Sequence, residues 1–194
     1  MERLPLTPEV LVAAYSQGIF PMDVDGTIQW FSPDPRAIID LDEFHIPRTL
    51  RPLYRRGQFE IRINTCFDRV IRACSDRSEG TWISDEIIGA YTQLHQLGLA
   101  HSVESFQDTE LVGGLYGVAI GGAFFGESMF HYRADASKVT LVALVERMRD
   151  RGYVLLDVQF ITEHLQRFGA RAIPREEYLE RLKVALEVDA SFAD

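Results

Sequence analysis

Three consecutive strand-like segments in the middle of the sequence do most to restrict its fold. Residues 100–107, 111–119 and 123–130 are rich in apolar, β-branched and aromatic side chains, which favour strands. The links between them are residues 108–110 and 120–122. A parallel connection needs a crossover of about a dozen residues or more, so the sequence predicts an antiparallel three-stranded meander.

Helix and strand signals alternate on both sides of this meander. A strand is expected at residues 59–63, followed by two helices, the second capped by Ser84. After the meander we expect a long helix from about Ala136 to Arg151, then strand, helix, strand and helix. This order predicts a mixed α/β (α+β) chain, and it resembles the three-layer fold of the Gcn5-related N-acetyltransferases.

The first 36 residues differ in character from the rest. Thr7 and Pro8 predict the start of a short helix that ends at Gly18. Residues 19–36 are rich in proline and aromatic residues, and proline resists both helix and interior strand. We therefore expect an ordered loop that holds at most a short strand. The interpretation is a small N-terminal subdomain, residues 1–36, followed by an acyltransferase-like catalytic domain, residues 37–194.

The loop that binds coenzyme A in that acetyltransferase fold is missing. It has the pattern Gln/Arg-x-x-Gly-x-Gly/Ala at the start of the long helix, where this chain has HYRADASK at residues 131–138. No glycine-rich nucleotide loop and no metal-ligand cluster appears, and Cys66 and Cys74 lack CxxC spacing. We therefore expect no acetyl-CoA, no other cofactor and no metal.

Two polar insertions in strand-like runs are the strongest signals of chemistry. Glu127 lies in GESMF and Asp157 in LLDVQ, and burying an unpaired carboxylate costs several kcal/mol. Residues two apart on a strand face the same side, so Asp157 and Gln159 are expected to project together. We therefore expect Asp157 and Gln159 to be the catalytic residues.

The charge distribution indicates a polyanionic partner at one edge of an otherwise acidic protein. The net charge is −9, yet the segment from Phe44 to Arg72 has seven arginines against two acidic residues. A local basic patch of this kind suits a polyanion; the alternative is a solvated arginine-rich surface. No basic-then-apolar leader opens the sequence and no apolar run reaches about 18 residues, so we expect a cytoplasmic protein that is not embedded in a membrane.

Nine motifs in the same order and spacing resemble the bacterial leucyl/phenylalanyl-tRNA–protein transferases, from about Leu6 to Leu182. They are AY (14–15), GIFPM (18–22), WFSPDPR (30–36), EGTWI (79–83), AHSVE (100–104), LVGGLYG (111–117), GESMF (126–130), ASK (136–138) and DVQ (157–159). The resemblance implies an enzyme that moves leucine or phenylalanine from Leu-tRNA or Phe-tRNA to proteins with an N-terminal arginine or lysine, which marks them for degradation.

The resemblance also implies the catalytic pair. Gln159 matches the residue that orients the attacking α-amino group. Asp157 matches the residue that polarises the amide of Gln159. Because an amide is a poor base, orientation by hydrogen bonding is favoured over proton abstraction. The alternatives are that Asp157 caps the following helix and that Gln159 is a solvated loop amide.

The same resemblance implies the substrate-binding residues. Glu127 is expected to contact the donor's ammonium or the terminal ribose, although neighbouring backbone N–H groups could also satisfy it. The residues that match the donor side-chain pocket would serve equally as plain core; they are Leu115, Phe124, Leu141 and Leu156.

Trp82 is expected to stack on the terminal adenine, with a role as a core anchor as the alternative. Met22 stands where the family often has a second tryptophan, and Phe31 replaces one residue of a Trp-Trp pair. A thioether still packs on a base, but more weakly. The arginines that match the family's basic surface are expected to grip the acceptor stem through its phosphates; they are Arg48, Arg51, Arg55 and Arg56.

Two other functions remain open from the sequence. One is a related aminoacyl-tRNA-dependent transferase with an altered donor or acceptor. The other is a non-catalytic module that binds tRNA or a degron.

Overall fold

Helices and strands alternate along the computed structural model, which describes residues 5–193. The helices are α1 (Pro8–Tyr15), α2 (Leu50–Arg55), α3 (Phe67–Ser75), α4 (Asp85–Gln96), α5 (Ala136–Asp150), α6 (Glu163–Gln166) and α7 (Arg175–Leu186). The strands are β1 (Phe20–Val24), β2 (Thr27–Phe31), β3 (Arg36–Ile39), β4 (Glu60–Ile63), β5 (Ala100–Gln107), β6 (Glu110–Ile120), β7 (Ala123–His131), β8 (Leu155–Gln159) and β9 (Ala170–Ile173).

One seven-stranded sheet in the order β4-β5-β6-β7-β8-β3-β9 organises the chain. Strands β5, β6 and β7 pair in antiparallel register, which confirms the predicted meander. Strand β8 then pairs with β7 in parallel, because α5 carries the chain back along the sheet. Helices cover both faces, and the predicted α/β class is confirmed.

Two hydrophobic clusters fill the space between the sheet and its helices. One lies under α1, α3, α4 and α7 and includes Tyr15, Tyr91 and Tyr178. The other lies under α2 and α5 and includes Leu141, Leu144 and Leu156. Side chains of a strand alternate between faces, so each strand of the meander contributes to both clusters.

The N-terminal expectations need two corrections. Residues 20–31 form a β1–β2 hairpin where a loop with at most a short strand was expected. Every strand of a two-stranded sheet is an edge, and edges tolerate a proline such as Pro21. Strand β3 was not predicted: its four residues are all buried, too few to show a period.

The proposed boundary after residue 36 stays a prediction. Strand β3 begins at Arg36 and belongs to the large sheet. Leu11 and Tyr15 of α1 lie in the same core cluster as α3 and α4. Among the described residues, no helix is long and apolar enough to cross a bilayer.

Candidate functional site

A gap between two parallel strands of the large sheet forms the candidate site. The β7–β8 ladder ends at the pair Phe125↔Asp157, although β7 continues to His131 and β8 to Gln159. A cavity of about 310 Å³ is lined by residues of both strands beyond that point. Its volume is at the lower end of the range for small-molecule sites, about 300–1,000 Å³.

A β-bulge at Glu127 shapes one side of the gap. Tyr116 of β6 is opposite Ser128, and Gly117 is opposite Gly126, so Glu127 has no partner across the ladder. A bulge reverses the facing of the residues that follow it. Phe130 therefore packs in the same cluster as Phe125, whereas Met129 packs on the other face.

Buried hydroxyl groups hold the Glu127 carboxyl group. The Tyr15 hydroxyl donates to Glu127 Oε1 at 2.5 Å, and it is also hydrogen-bonded to the hydroxyl of Tyr91. Gln159 Nε2 approaches the same oxygen at 3.4 Å. Side chains, rather than the backbone N–H groups considered from the sequence, thus contact this carboxyl group.

Burial raises the pKa of Glu127 to about 8, with the charge of Asp157 acting in the same direction and the Tyr15 hydroxyl and Arg36 opposing it. The carboxyl group is therefore mostly protonated at neutral pH. A positive charge bound nearby, such as an ammonium group, would lower the pKa and favour the ionised form.

Asp157 lies beneath the cavity and is fully buried. Arg36 Nε and Nη2 donate to its two oxygens at 3.0 and 2.7 Å, and the Tyr178 hydroxyl donates at 2.7 Å. Bidentate arginine–carboxylate pairs combine strength with fixed geometry. Because these donors and a backbone N–H satisfy the carboxylate, Asp157 caps no helix; Thr162 caps α6 instead.

Asp157 fixes Gln159 through the backbone. The Gln159 N–H donates to Asp157 Oδ1 at 2.9 Å, and Gln159 has a φ of 59°, which is uncommon for a residue other than glycine. Such strain persists only where neighbouring contacts impose it. The backbone bond therefore holds the amide side chain at the mouth of the gap, beside Glu127.

Arg36 is itself held on every side. Its Nη1 donates to the Gly18 carbonyl at 2.9 Å, and its guanidinium carbon lies 4.8 and 4.5 Å from the ring centroids of Phe20 and Tyr178. Gly18 has a φ of 73°, and an added Cβ would lie 2.9 Å from side-chain atoms of Tyr178 and Leu179. Only glycine lets the end of α1 approach α7 this closely.

The remaining walls of the cavity differ in polarity. One wall is aliphatic and comes mainly from the α5 side; it contains Leu115, Met129, Leu141, Leu144, Leu156 and Leu165. The other carries Phe20, Met22 and Trp82 together with Arg77. Trp82 is half-buried, packs on the core, and its carbonyl accepts from Asp23 N at 3.1 Å. The indole thus serves the core and faces the cavity.

The structure gathers most of the sequence-predicted residues around this gap. The predicted residues that line it are Met22, Trp82, Leu115, Glu127, Leu141, Leu156 and Gln159. Phe124 does not line the cavity: its ring packs on Phe192 at 5.0 Å, within the core cluster that also contains Leu156. It belongs to the core instead of the cavity wall.

The predicted arginine cluster lies apart from the cavity. Arg51 and Arg55 belong to α2, which flanks α5, and Tyr54 of α2 donates to Glu146 of α5. The four side chains are exposed; they are Arg48, Arg51, Arg55 and Arg56. Among residues 5–193 none of them has an ion-pair partner. They lie on the same side of the sheet as the aliphatic wall.

Sequence reasoning missed several residues at the site. Arg36 begins an apolar run of three residues, the same kind of embedded charge that singled out Asp157, so a signal existed. Tyr15 and Tyr91 give no such signal, because the direction of a buried hydroxyl depends on tertiary packing. Within the described part of the chain, no group of three or more His, Cys, Asp or Glu residues is placed to hold a metal ion.

Glu127→Gln is expected to change how stability depends on pH. The native pKa is about 8 against an ordinary value of 4.5, so between these values the native state binds more protons than the unfolded state. The free energy of unfolding of the wild type should therefore fall, relative to that of the variant, as pH rises from about 5 to about 8. Urea titrations of both proteins across this pH range measure the free energy of unfolding. A difference between wild type and variant that does not change with pH would contradict the raised pKa.

Sequence comparisons place the chain among proteins of one description. A family model described as leucyl/phenylalanyl-tRNA protein transferase matches residues 38–183, and a model of the N-terminal domain of the same description matches residues 5–34. Two relatives are named leucyl/phenylalanyl-tRNA–protein transferase. The protein from Herpetosiphon aurantiacus is 58% identical to this chain, and the match covers 96% of this chain and 98% of the relative. The protein from Rubrobacter xylanophilus is 55% identical, and the match covers 97% of this chain and 99% of the relative.

Solved structures are similar only at a distance. L-PGS from Bacillus licheniformis overlaps with a TM-score of 0.46 at 14% identity, covering 91% of this chain and 62% of the other. A GCN5-related N-acetyltransferase-like protein from Streptococcus suis overlaps with a TM-score of 0.45 at 16% identity, covering 85% and 63%. Structural similarities at this level do not assign the chain to a family.

Proposed function

Since this chain belongs to the leucyl/phenylalanyl-tRNA–protein transferase family, a family of aminoacyltransferases, we propose that it moves leucine or phenylalanine from charged tRNA onto an N-terminal arginine or lysine. The modified proteins would thereby be marked for degradation. The reaction places the enzyme in the cytoplasm, where charged tRNA is made and used.

The proposal rests on one observation: aliphatic side chains line one wall of the cavity, and Glu127 and Gln159 lie together at its mouth. The donor's side chain packs against Leu115, Leu141 and Leu156, which line the cavity. Its ester carbonyl then lies towards Glu127 and Gln159 at the mouth. An aliphatic pocket separates side chains by shape, with about 1–3 kcal/mol for each misplaced methylene-sized group.

The reaction needs positioning more than a strong base. The acceptor's α-amine attacks the ester carbonyl, the C–N bond forms, and the C–O bond to the terminal ribose of tRNA breaks. One proton passes from the amine to the leaving ribose oxygen. Because the ester is already activated, holding the two reactants in place contributes about 7–11 kcal/mol in favourable cases.

Gln159 is suited to orient the attacking amine. Its Nε2 is directed to Glu127 Oε1 at 3.4 Å, which leaves the amide oxygen to accept from the amine N–H. Asp157 acts through the Gln159 backbone and is therefore a positioning residue. Glu127, with its raised pKa, is suited to receive an ammonium group and ionise beside it.

Transfer of labelled amino acid tests the proposal directly. The protein is incubated with labelled Leu-tRNA or Phe-tRNA and a peptide that begins with arginine; label is expected in the peptide. The matched control is the same peptide with an acetylated N-terminus, which lacks the attacking amine. If label fails to reach the free peptide at every salt concentration, a non-catalytic module replaces this proposal. Label that passes only from another donor, or only to another N-terminal residue, indicates a related transferase.

Charge reversal at the C-terminal end of α2 is expected to weaken binding of tRNA. Arg55→Glu and Arg56→Glu each remove an exposed cation, so affinity for Leu-tRNA falls and the slope of log K against log salt decreases by about one per lost phosphate contact. Filter binding across a salt series measures both. Lys183→Glu is the control, because this exposed cation lies on α7 at the other face of the sheet. An equal loss in all three variants would contradict a role for α2.

A further inference from the structure

Arg77 is a cation fixed at the wall of the cavity by neutral partners. Its Nε donates to the Cys74 carbonyl at 3.1 Å, at the C-terminal end of α3. Its Nη2 donates to Ser128 Oγ at 2.9 Å and to the Met129 carbonyl at 3.1 Å. These bonds join the loop after α3 to β7 just beyond the bulge, and they hold the guanidinium group beside the gap.

The charge of Arg77 is not compensated. Over residues 5–193 no carboxylate lies within ion-pair distance of it, in contrast to Arg72, which pairs with Asp68 on the neighbouring α3. An arginine held by carbonyl and hydroxyl oxygens keeps its full positive charge and its remaining N–H donors. Such a group is prepared for an anion that enters the cavity.

A residue that lines the cavity carries a buried hydroxyl group without a partner. Tyr116 is fully buried and lines the cavity, and its hydroxyl has no hydrogen-bond partner among the described residues. Burial raises the pKa of Tyr116, and the nearby charge of Arg77 acts against that rise. A buried hydroxyl left unpaired costs free energy.

Trp82 lies on the same loop as Arg77, between α3 and α4. The loop is tied to β7 through Arg77 and to β1 through the Trp82 carbonyl. An aromatic face and an uncompensated arginine on one tethered loop offer the two contacts that a nucleotide needs: stacking for the base and a charge-assisted bond for the phosphate.

We infer that Arg77 binds the phosphate on the 5′ side of the terminal adenosine of the charged tRNA, while Trp82 packs on its adenine. This inference rests on the proposed function, since it names a contact of the same donor. It makes the donor site selective for a nucleotide over a nucleoside. The arginines of α2 contact other phosphates, farther along the acceptor stem.

Two minimal donors that differ by one phosphate test the inference. They are the 3′-leucyl ester of adenosine and the 3′-leucyl ester of adenosine 5′-monophosphate, each with a peptide that begins with arginine. The wild type is expected to use the phosphorylated donor with a kcat/KM about 10- to 100-fold higher, as a charge-assisted bond allows. Arg77→Met should remove this preference, so that the ratio of the two kcat/KM values falls to about one.

Two further variants separate charge from structure. Arg77→Lys keeps the charge and should retain part of the preference, whereas Arg72→Met, on the adjacent helix, should retain all of it. If Arg77→Met weakens both donors equally, Arg77 serves only to hold β7 and the inference is wrong.

A binding measurement separates this inference from the proposed function. Calorimetry with adenosine 5′-monophosphate and with adenosine needs no transfer reaction. Tighter binding of the monophosphate that is lost in Arg77→Met supports the phosphate site even if no amino acid is transferred. Equal binding of the two ligands to the wild type overturns the site even if transfer from tRNA succeeds.

Discussion

Arg36→Met is expected to lower the free energy of unfolding by about 3–5 kcal/mol, because it leaves the buried charge of Asp157 without its bidentate partner. Both side chains of this pair have an exposed fraction of 0%, so water cannot replace the lost contacts. The Tyr178 hydroxyl and one backbone N–H remain as donors, and neither carries a positive charge. Urea denaturation of wild type and variant measures the difference.

Two variants serve as controls for that loss. Arg62→Met breaks the Arg62–Glu60 pair, whose side chains are 35% and 61% exposed, and pairs at the surface contribute at most about 1 kcal/mol. The double variant Arg36→Met/Asp157→Asn removes both charges and should recover part of the stability. If Arg36→Met costs no more than Arg62→Met, the buried pair does not support the fold as described.

Gln159→Ala is expected to lower kcat for transfer by about 100-fold, since a misplacement of the reactants by about 1 Å can cost that much. The dissociation constant for Leu-tRNA should stay within about threefold of wild type, because the phosphate contacts proposed on α2 and at Arg77 are untouched. Single-turnover transfer and filter binding measure the two quantities separately.

Gln166→Ala is the matched control for this substitution. Gln166 is an exposed glutamine at the end of α6, and it does not line the cavity. Its loss should leave both kcat and tRNA binding unchanged. A fall in tRNA affinity as large as the fall in kcat for Gln159→Ala would show that the amide binds the donor instead of orienting the amine.

Local signals in the sequence were enough for most of the fold. Thr7 and Pro8 predicted the start of α1, where Thr7 does cap the helix. The meander followed from alternation and short links, and β5 has the predicted bounds. The short elements were missed. Strand β3 and helix α2 have four and six residues, too few to display a period. They are stabilised by contacts with distant segments: β3 pairs with β8 and β9, and α2 packs in the same core cluster as α5.

The candidate site was predicted only in part, for a different reason. The embedded carboxylates showed that Glu127 and Asp157 need partners. The partner of Asp157 is 121 positions away in the chain, and no periodicity spans such a separation. For Phe124 the sequence left pocket and core equally open; its ring turns towards Phe192, a contact that only packing near the C-terminal end decides.

The sequence by itself determined most of the strands and helices, and it determined the family, because both depend on residue types and spacings along the chain. Tertiary structure alone decided that β7 and β8 separate beyond Phe125 and Asp157. It also decided that a bulge in β7 directs the Glu127 side chain towards the gap between these strands. It also decided that Arg36 neutralises Asp157 below the gap. These features arise from contacts between distant segments, whose free energies are set by burial and geometry and not by local preference.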